Sequence, residues 1–396
     1  MKPFEFIYGN HSSSLKNKTI VLAVTGSIAA VKTVELARAL IRFSANVVPV
    51  MSKSATEILH PNALEYACGQ KPLTQITAQM DYLDLFGKNG RSDLLLICPA
   101  TADCISKIAH AFSDDLISIL ALNALGSKKQ ILIVPAMHES MLENKLLQKN
   151  IVKLKKAGIV FLEPFIQEEI GKLPEKETIV LECERLLSVH SLKNKTVVIA
   201  SGKTEEDVDD LRILTNRSSG KMGSELALQA YRLGAQVVVV ACEPIPFTQI
   251  KQIRIRTAEE MEQALFQECK KANFLLMPAA IGDFDIRVVK QSGKISSKNK
   301  TVLELFPRAK IIAKLRKKFS KLFILGFKAC AQESEIESIC LEKLKKDQLT
   351  ALVGNVGKTM MGADSGTVWL FKEKGSVKIQ GTKKEIAQNI WSEILQ

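Results

Sequence analysis

The octapeptide Ser14-Leu15-Lys16-Asn17-Lys18-Thr19-Ile20-Val21 recurs almost letter for letter as Ser191-Leu192-Lys193-Asn194-Lys195-Thr196-Val197-Val198. Each copy runs into an apolar stretch followed by Gly, the pattern of a lead-in turn, a buried strand and a tight loop. Two such starts imply two domains built on one plan. The second start follows the polar-ended helical stretch Thr178 to Ser188, so the linker is expected near 188 to 194 and the domains at 15–190 and 191–396. With 396 residues and 46% hydrophobic composition, each half can bury a core of its own.

In the first half, the apolar runs Thr19 to Val24, Val47 to Met51, Leu94 to Cys98, Ile131 to Val134 and Ile159 to Leu162 alternate with helical stretches such as Ala29 to Phe43 and Asn144 to Lys156. Short all-apolar strands separated by helices predict a parallel sheet covered on both faces, with ligands beyond the carboxyl ends of the strands. The second half repeats the pattern with strands Thr196 to Ser201, Gln236 to Ala241, Phe274 to Met277, Leu322 to Leu325 and Ala351 to Val353. Thr367 to Phe371 and Val377 to Gln380, separated by a turn at Gly375, read as a hairpin ahead of a helix Lys384 to Leu395. The fold class is α/β: two doubly wound, mainly parallel-sheet, Rossmann-like domains, the second ending in a β-hairpin.

Between the strand Thr196 to Ser201 and the helical pattern Glu225 to Leu233 sits Asn216-Arg217-Ser218-Ser219-Gly220-Lys221-Met222-Gly223. Small residues ahead of a helix let backbone amides approach an anion, and the helix N-terminus adds partial positive charge. This is an anion cradle, but neither the Walker spacing nor Gly-x-Gly-x-x-Gly is present. Taken alone, a Ser-Ser-Gly run reads as a Gly-rich turn with a Ser cap.

The net charge of +13 is spread, with only short clusters such as Lys153 to Lys156 and Lys314 to Lys318, and aromatic content is 6%. A stacking platform for single-stranded nucleic acid is not expected; a field attracting phosphorylated metabolites fits. The eight cysteines form no Cys-x-x-Cys pair and no zinc spacing with the five histidines, which points to a reduced, cytoplasmic chain. No run has the length of a membrane span, and the N-terminus lacks the apolar core of a secretory signal.

The run Asn216 to Gly223 resembles the Ser-Asn-x-Ser-Ser-Gly-Lys-Met-Gly signature of phosphopantothenate-cysteine ligases. Four more motifs follow in that family's order: Pro278-Ala279-Ala280-Ile281-Gly282-Asp283-Phe284, Lys294-Ile295-Ser296-Ser297, Gly326-Phe327-Lys328-Ala329 and Gly354-Asn355-Val356. The resemblance implies that Asn216 contacts an acyl-nucleotide intermediate and that Ala279 and Ala280 let the phosphopantothenate backbone approach. It further implies that Asp283 and Lys294 meet the nucleotide, Phe327 packs on the nucleoside, and Lys343 or Lys346 neutralises phosphates. Ser219, Gly220, Met277, Pro278, Ala309, Lys310, Ile311 and Ile312 complete the implied nucleotide and substrate set. Bland alternatives are Asp283 as a helix cap, Phe327 as core, and Lys343 and Lys346 as a solvated face. Ser296 and Ser297 replace family lysines, Cys330 a Glu and Val356 an Asp. The nucleotide, CTP or ATP, is left open, as are metal ligands, although Mg2+ is implied with the nucleotide.

The first half resembles the flavin-binding phosphopantothenoylcysteine decarboxylases. Gly26-Ser27-Ile28-Ala29 matches the family's flavin-phosphate turn, and Pro99-Ala100-Thr101-Ala102-Asp103-Cys104 the Pro-Ala-Ser-Ala-Asn-Thr of its FMN pocket; Ser52 follows the second strand. Pro135-Ala136-Met137-His138 stands for Pro-x-Met-Asn, so His138, with Asp103, is the candidate grip on the substrate carboxylate. The family's active-site His falls in Asp81-Tyr82-Leu83-Asp84-Leu85, which offers Tyr82, a phenol that ordinarily titrates near pH ~10. The flap region Glu163 to Glu177 has no Cys. His110 reads as a helix-surface residue, and Met137 and Met141 as core.

Together these resemblances imply a bifunctional pair of steps in coenzyme A synthesis: nucleotide-dependent joining of cysteine to 4'-phosphopantothenate, then FMN-dependent decarboxylation. They also imply a homo-oligomer with small-molecule partners only. The alternatives are a ligase whose first domain is a non-catalytic flavin-binding or regulatory module, and an unrelated dinucleotide enzyme, which the lack of Gly-x-Gly-x-x-Gly opposes.

Overall fold

The computed structural model describes residues 4–288, 294–295, 300 and 302–396. The chain divides into two compact units, Met1–Ser188 and Val189–Gln396. Residues ahead of the first octapeptide belong to the first unit, where Phe4 and Ile7 pack against the core.

The first unit is built on β1 (Thr19–Val24), β2 (Asn46–Met51), β3 (Leu94–Ala100), β4 (Gln130–Pro135), β5 (Met137–His138), β6 (Val160–Phe161), β7 (Phe165–Gln167) and β8 (Ile170–Lys172). Its main sheet runs β2-β1-β3-β4-β6, all parallel. Alternation along the strands sends Ile20, Leu22 and Val24 to the face covered by the helices Thr33–Arg42 and Lys176–Leu186. Val21 and Ala23 go to the face covered by Ala102–Ala109, Leu116–Gly126 and Lys145–Lys156. Both faces are buried, which is why the strands read as continuous apolar runs. The strand order reverses at β1 and β3, so the loops after these two strands flank a crevice.

A second, three-stranded antiparallel sheet was not marked by the sequence pattern. The flap region forms the hairpin β7–β8, with Glu168 and Glu169 at φ +54° and +59°, and β8 pairs with β5. Such left-handed turns usually use Gly, Asn or Asp, so two glutamates gave no turn signal.

The second unit holds β9 (Thr196–Ser201), β10 (Glu205–Asp207), β11 (Ile213–Thr215), β12 (Gln236–Ala241), β13 (Lys251–Arg254), β14 (Phe274–Met277), β15 (Phe284–Val288), β16 (Leu303–Pro307), β17 (Phe323–Cys330), β18 (Ala351–Val356), β19 (Ser365–Lys372) and β20 (Gly375–Thr382). Eight of them make one sheet, β13-β12-β9-β14-β17-β18-β19-β20, parallel up to β18 and antiparallel through the terminal hairpin. β10 with β11 and β15 with β16 form two separate antiparallel ladders. The helix behind the cradle spans Lys221–Arg232, four residues earlier than its apolar pattern begins. Gly223 explains the difference: a Cβ there would lie 2.2 Å from Ser201 Oγ and 3.2 Å from Ser201 Cα, so the first turn packs flush on β9 only as glycine.

Candidate active site

The first crevice is framed by loops tied to one another. Thr25 Oγ1 donates to Pro99 O at 2.8 Å and accepts from Thr101 N at 3.0 Å, while Ser27 Oγ donates to Ala136 O at 3.2 Å. Ser27, Ser52 and Thr101 each cap the helical turn that follows a strand, accepting from Ala29, Ala55 and Cys104 N. Gly26 lies against the turn after β2: a Cβ would come within 2.5 Å of Ser54 Cβ. Ile28 is 77% exposed, an apolar side chain offered at the crevice. Pro99 and Ala100 are buried in β3. Small residues at a close backbone approach, capped turns and an exposed apolar side chain suit a phosphate-bearing, flat aromatic group, so the residues fit a flavin.

Asp103 turns toward Lys107, 3.6 Å away, and Lys107 also meets Asp114 at 3.1 Å and Asp115 at 3.2 Å. Asp114 first, with Asp115 and Asp103, holds the Lys107 ammonium well above the usual lysine range. Asp103 stays exposed beside that cation, which sits closer to the other two aspartates. His138 is exposed in β5, and its backbone pairs with Ile170 of the hairpin. Tyr82, on the short helix Asp81–Phe86, is half-buried and packs against the core cluster of the second face. Met137 also packs there, whereas Met141 is exposed, contrary to its expected core position.

The second unit contains a cavity of about 450 Å³. Asn216, Ser219, Gly220, Met277, Pro278, Ala279, Ala280, Asp283, Ala309, Lys310, Ile311, Ile312, Phe327 and Lys343 all line it. They come from the cradle, the loop after β14, the segment after β16, strand β17 and the helix Ile336–Lys346. Asn216 Nδ2 donates to Ala280 O at 3.0 Å. Ala280 is fixed in turn, its N donating to Gly202 O at 2.8 Å. Asp283 is exposed in its loop and pairs with Lys310 at 2.5 Å, so it is not a helix cap. Lys343 pairs with Asp347.

Lys294 and Lys346 are exposed and outside the cavity lining. The residue after Lys294 is buried, Ile295 N donating to Asp209 Oδ2 at 3.0 Å; Ser296 and Ser297 lie outside the described residues.

Sequence reasoning missed Arg308, Met360, Met361, Gly362, Val368 and Lys383, which also line the cavity. Lys221 Nζ donates to Gly362 O at 3.1 Å and pairs with Asp364 at 2.5 Å, joining the cradle to the segment before β19. The bond from Lys221 holds the Asp364 carboxyl below its ordinary range. None of these carries a local mark, and Lys383 stands at an ordinary capped helix start. Among the described residues no group of three or more His, Cys, Asp or Glu side chains is arranged to hold a metal.

Fold and site define a tandem doubly wound α/β protein with a flavin-type crevice in one unit and a cation-lined cavity in the other. Residues 8–188 match the family model "Flavoprotein", and residues 192–396 match "DNA/pantothenate metabolism flavoprotein C-terminal domain". The chain is 37% identical to the coenzyme A biosynthesis bifunctional protein CoaBC of Thermococcus kodakarensis, covering 98% of each chain. To the protein of the same name from Methanocaldococcus jannaschii it is 34% identical, covering 98% of this chain and 96% of the other. A crystal structure of the C-terminal domain of a CoaBC protein matches 52% of this chain and 96% of its own, with 27% identity and a TM-score of 0.44. The chain belongs to the family of bifunctional coenzyme A biosynthesis proteins.

Proposed function

We propose that the second unit joins cysteine to 4'-phosphopantothenate at the expense of CTP or ATP, and that the first, holding FMN, decarboxylates the product to 4'-phosphopantetheine. The observation that carries the ligase half is convergence: residues scattered from Asn216 to Lys343 line one cavity. Activating a carboxylate as an acyl-nucleotide demands positioning and charge neutralisation above all. Asn216, held on the Ala280 carbonyl, orients its amide toward the activated acyl group. Ala279 and Ala280 keep the wall low enough for the pantothenate chain. Phe327, half-buried within β17, offers a face to the nucleoside, and Lys310 and Lys343 answer the triphosphate. Mg2+ enters as part of the nucleotide complex.

In the first unit, bound FMN supplies reversible two-electron oxidation of the substrate thiol, which makes loss of the adjacent carboxylate possible. The Gly26–Ile28 turn receives the phosphate end of that cofactor, and Ile28 shields its ring from water. His138 grips the departing carboxylate from β5, next to the hairpin that covers it. Tyr82, its ring anchored in the core cluster, orients the substrate through its phenol instead of moving a proton.

Two further features support a cytoplasmic assembly of identical chains. All eight cysteines are free thiols, as expected in a reducing compartment, and no described helix is long and apolar enough to cross a membrane. Leu211, Ile213 and Leu214 around β11, and Leu303, Leu305 and Phe306 on β16, are exposed apolar side chains on the two small ladders, suited to cover by a second copy.

The test is to supply 4'-phosphopantothenate, cysteine, Mg2+ and either nucleotide, and to follow products by mass. Masses of the cysteine conjugate and then of 4'-phosphopantetheine are expected; no conjugate with either nucleotide overturns the assignment. Tyr82 decides the second step. Wild type should release carbon dioxide slowly, Tyr82→His faster, and Tyr82→Phe more slowly by roughly 10-fold, the worth of one lost hydrogen bond. Flavin absorbance should be equal in all three. If flavin-loaded wild type releases none and Tyr82→His restores it, the second reading holds: a ligase with a non-catalytic flavin-binding first unit.

A further inference from the structure

The C-terminal helix Lys383–Leu395 begins with a cation where a helix favours one least. Thr382 is the cap, locked by a reciprocal box with Glu385, so Lys383 is the first helical residue and sits at the positive end of the helix dipole. It is also only 8% exposed, yet it lines the 450 Å³ cavity. Its Nζ donates to Met360 O at 3.2 Å, with Met360 Sδ 4.0 Å away. The nearby carboxylate, Asp364, is already bonded to Lys221. Burial first, and then the Lys221 ammonium, hold Lys383 below the usual lysine range, with Asp364 opposing. A buried ammonium with a like charge near it and a helix N-terminus behind it is destabilising in the empty protein. An incoming anion relieves all three effects at once.

Of the cavity's cations, Arg308 is held by Glu206 and Asp285, Lys328 lies on β17, and four others fall into two groups. Lys310 and Lys343 belong with Phe327, the side chain suited to a base, on the segments around β17. Lys221 and Lys383 are joined through the segment Met360 to Asp364 and belong with the Ser219–Gly220 cradle. The first group answers a nucleotide, which leaves the second for the other anion in the reaction. We propose that Lys383 is a binding and specificity residue for the phosphate monoester of the acid substrate, acting with Lys221 and the cradle amides. The proposal rests on the reading of the second unit as a ligase.

The experiment uses the full chain as wild type, Lys383→Met and Lys383→Arg. Thermal unfolding is followed with and without inorganic phosphate, against chloride at equal ionic strength. Lys383→Met, a neutral side chain of similar length, should melt higher than wild type without phosphate and gain much less when phosphate is added. In ligation, it should lower kcat/KM for 4'-phosphopantothenate by roughly 10- to 100-fold, mostly through KM, as expected for one charged hydrogen bond. The preference for 4'-phosphopantothenate over pantothenate should fall by the same factor, and Lys383→Arg should recover part of it. Equal losses on both acids, a rise confined to the nucleotide KM, or a lower melting point with an unchanged phosphate response would overturn the proposal. If wild type conjugates neither acid, the ligase reading fails, and the phosphate-dependent melting still decides the anion role of Lys383.

Discussion

Replacing Asn216 by Asp is expected to cut ligation by about 10²- to 10³-fold, the range for losing one donor aimed at developing charge. Asn216 Nδ2 donates to Ala280 O at 3.0 Å, and Ala280 is itself held by Gly202. A carboxylate cannot make that bond. It would set an oxygen against a carbonyl oxygen and bring negative charge into a cavity that must accept phosphates. The side chain is half-buried, so folding should lose only about 1 kcal/mol, the worth of an ordinary hydrogen bond. Steady-state pyrophosphate release, beside a melting curve, checks both expectations. Asn216→Ala separates the causes: it removes the donor without adding charge and should fall less than Asp. Conjugation by Asn216→Asp at the wild-type rate would remove Asn216 from the site.

Much of the cavity was legible in the sequence because its residues lie at strand ends, where apolar runs stop and small or charged residues begin. Asn216, Ala279, Asp283 and Phe327 were singled out by their resemblance to the ligase motifs, each motif adjoining a strand. Lys383 was not, because its neighbours Thr382 and Glu385 form an ordinary helix start and nothing local shows that the N1 side chain turns inward. Met360 to Gly362 were missed for a related reason: they reach the cavity through long-range contacts, such as Lys221 to Gly362 O at 3.1 Å, which leave no periodic trace. Lys294 and Lys346 are the reverse case. Both are exposed lysines outside the lining, and a motif position or a helix face cannot by itself specify which way a long charged side chain turns.

The parallel cores were legible for a physical reason. A strand buried on both faces has to be apolar throughout, so β1, β3, β9 and β12 announce themselves. The short antiparallel ladders and the parallel edge strand β13 do not. β10 is Glu-Glu-Asp, β13 carries Lys251 and Arg254, and β7 is exposed throughout, so neither alternation nor hydrophobicity marks them. Their pairing is dictated by partners distant in the chain, as in β5 with β8.

Gly26→Asp should give protein that purifies colourless and releases no carbon dioxide, while ligation continues. A Cβ at this position falls 2.5 Å from Ser54 Cβ and 3.2 Å from the Ser54 carbonyl carbon, so movement of one hydroxyl cannot relieve the contact. The loop has little room to retreat. Thr25 is bonded to Pro99 O and Thr101 N, and Ser27 to Ala136 O, so giving way on that side breaks the ties between three strand ends. The turn carrying Ser52 and Ser54 must move instead, which opens the crevice, and the new carboxylate opposes a phosphate where the wild-type loop presents only backbone and hydroxyl groups. The second unit has its own core, from Val198 through Phe371, and needs nothing from this loop to fold. Gly26→Ala isolates sterics from charge, since it brings the same Cβ without the carboxylate. Loss of visible absorbance in both variants would mean that the close approach itself is required, whereas loss in Asp alone would assign the effect to charge. Flavin retained by Gly26→Asp at the wild-type level would remove this turn from the cofactor site.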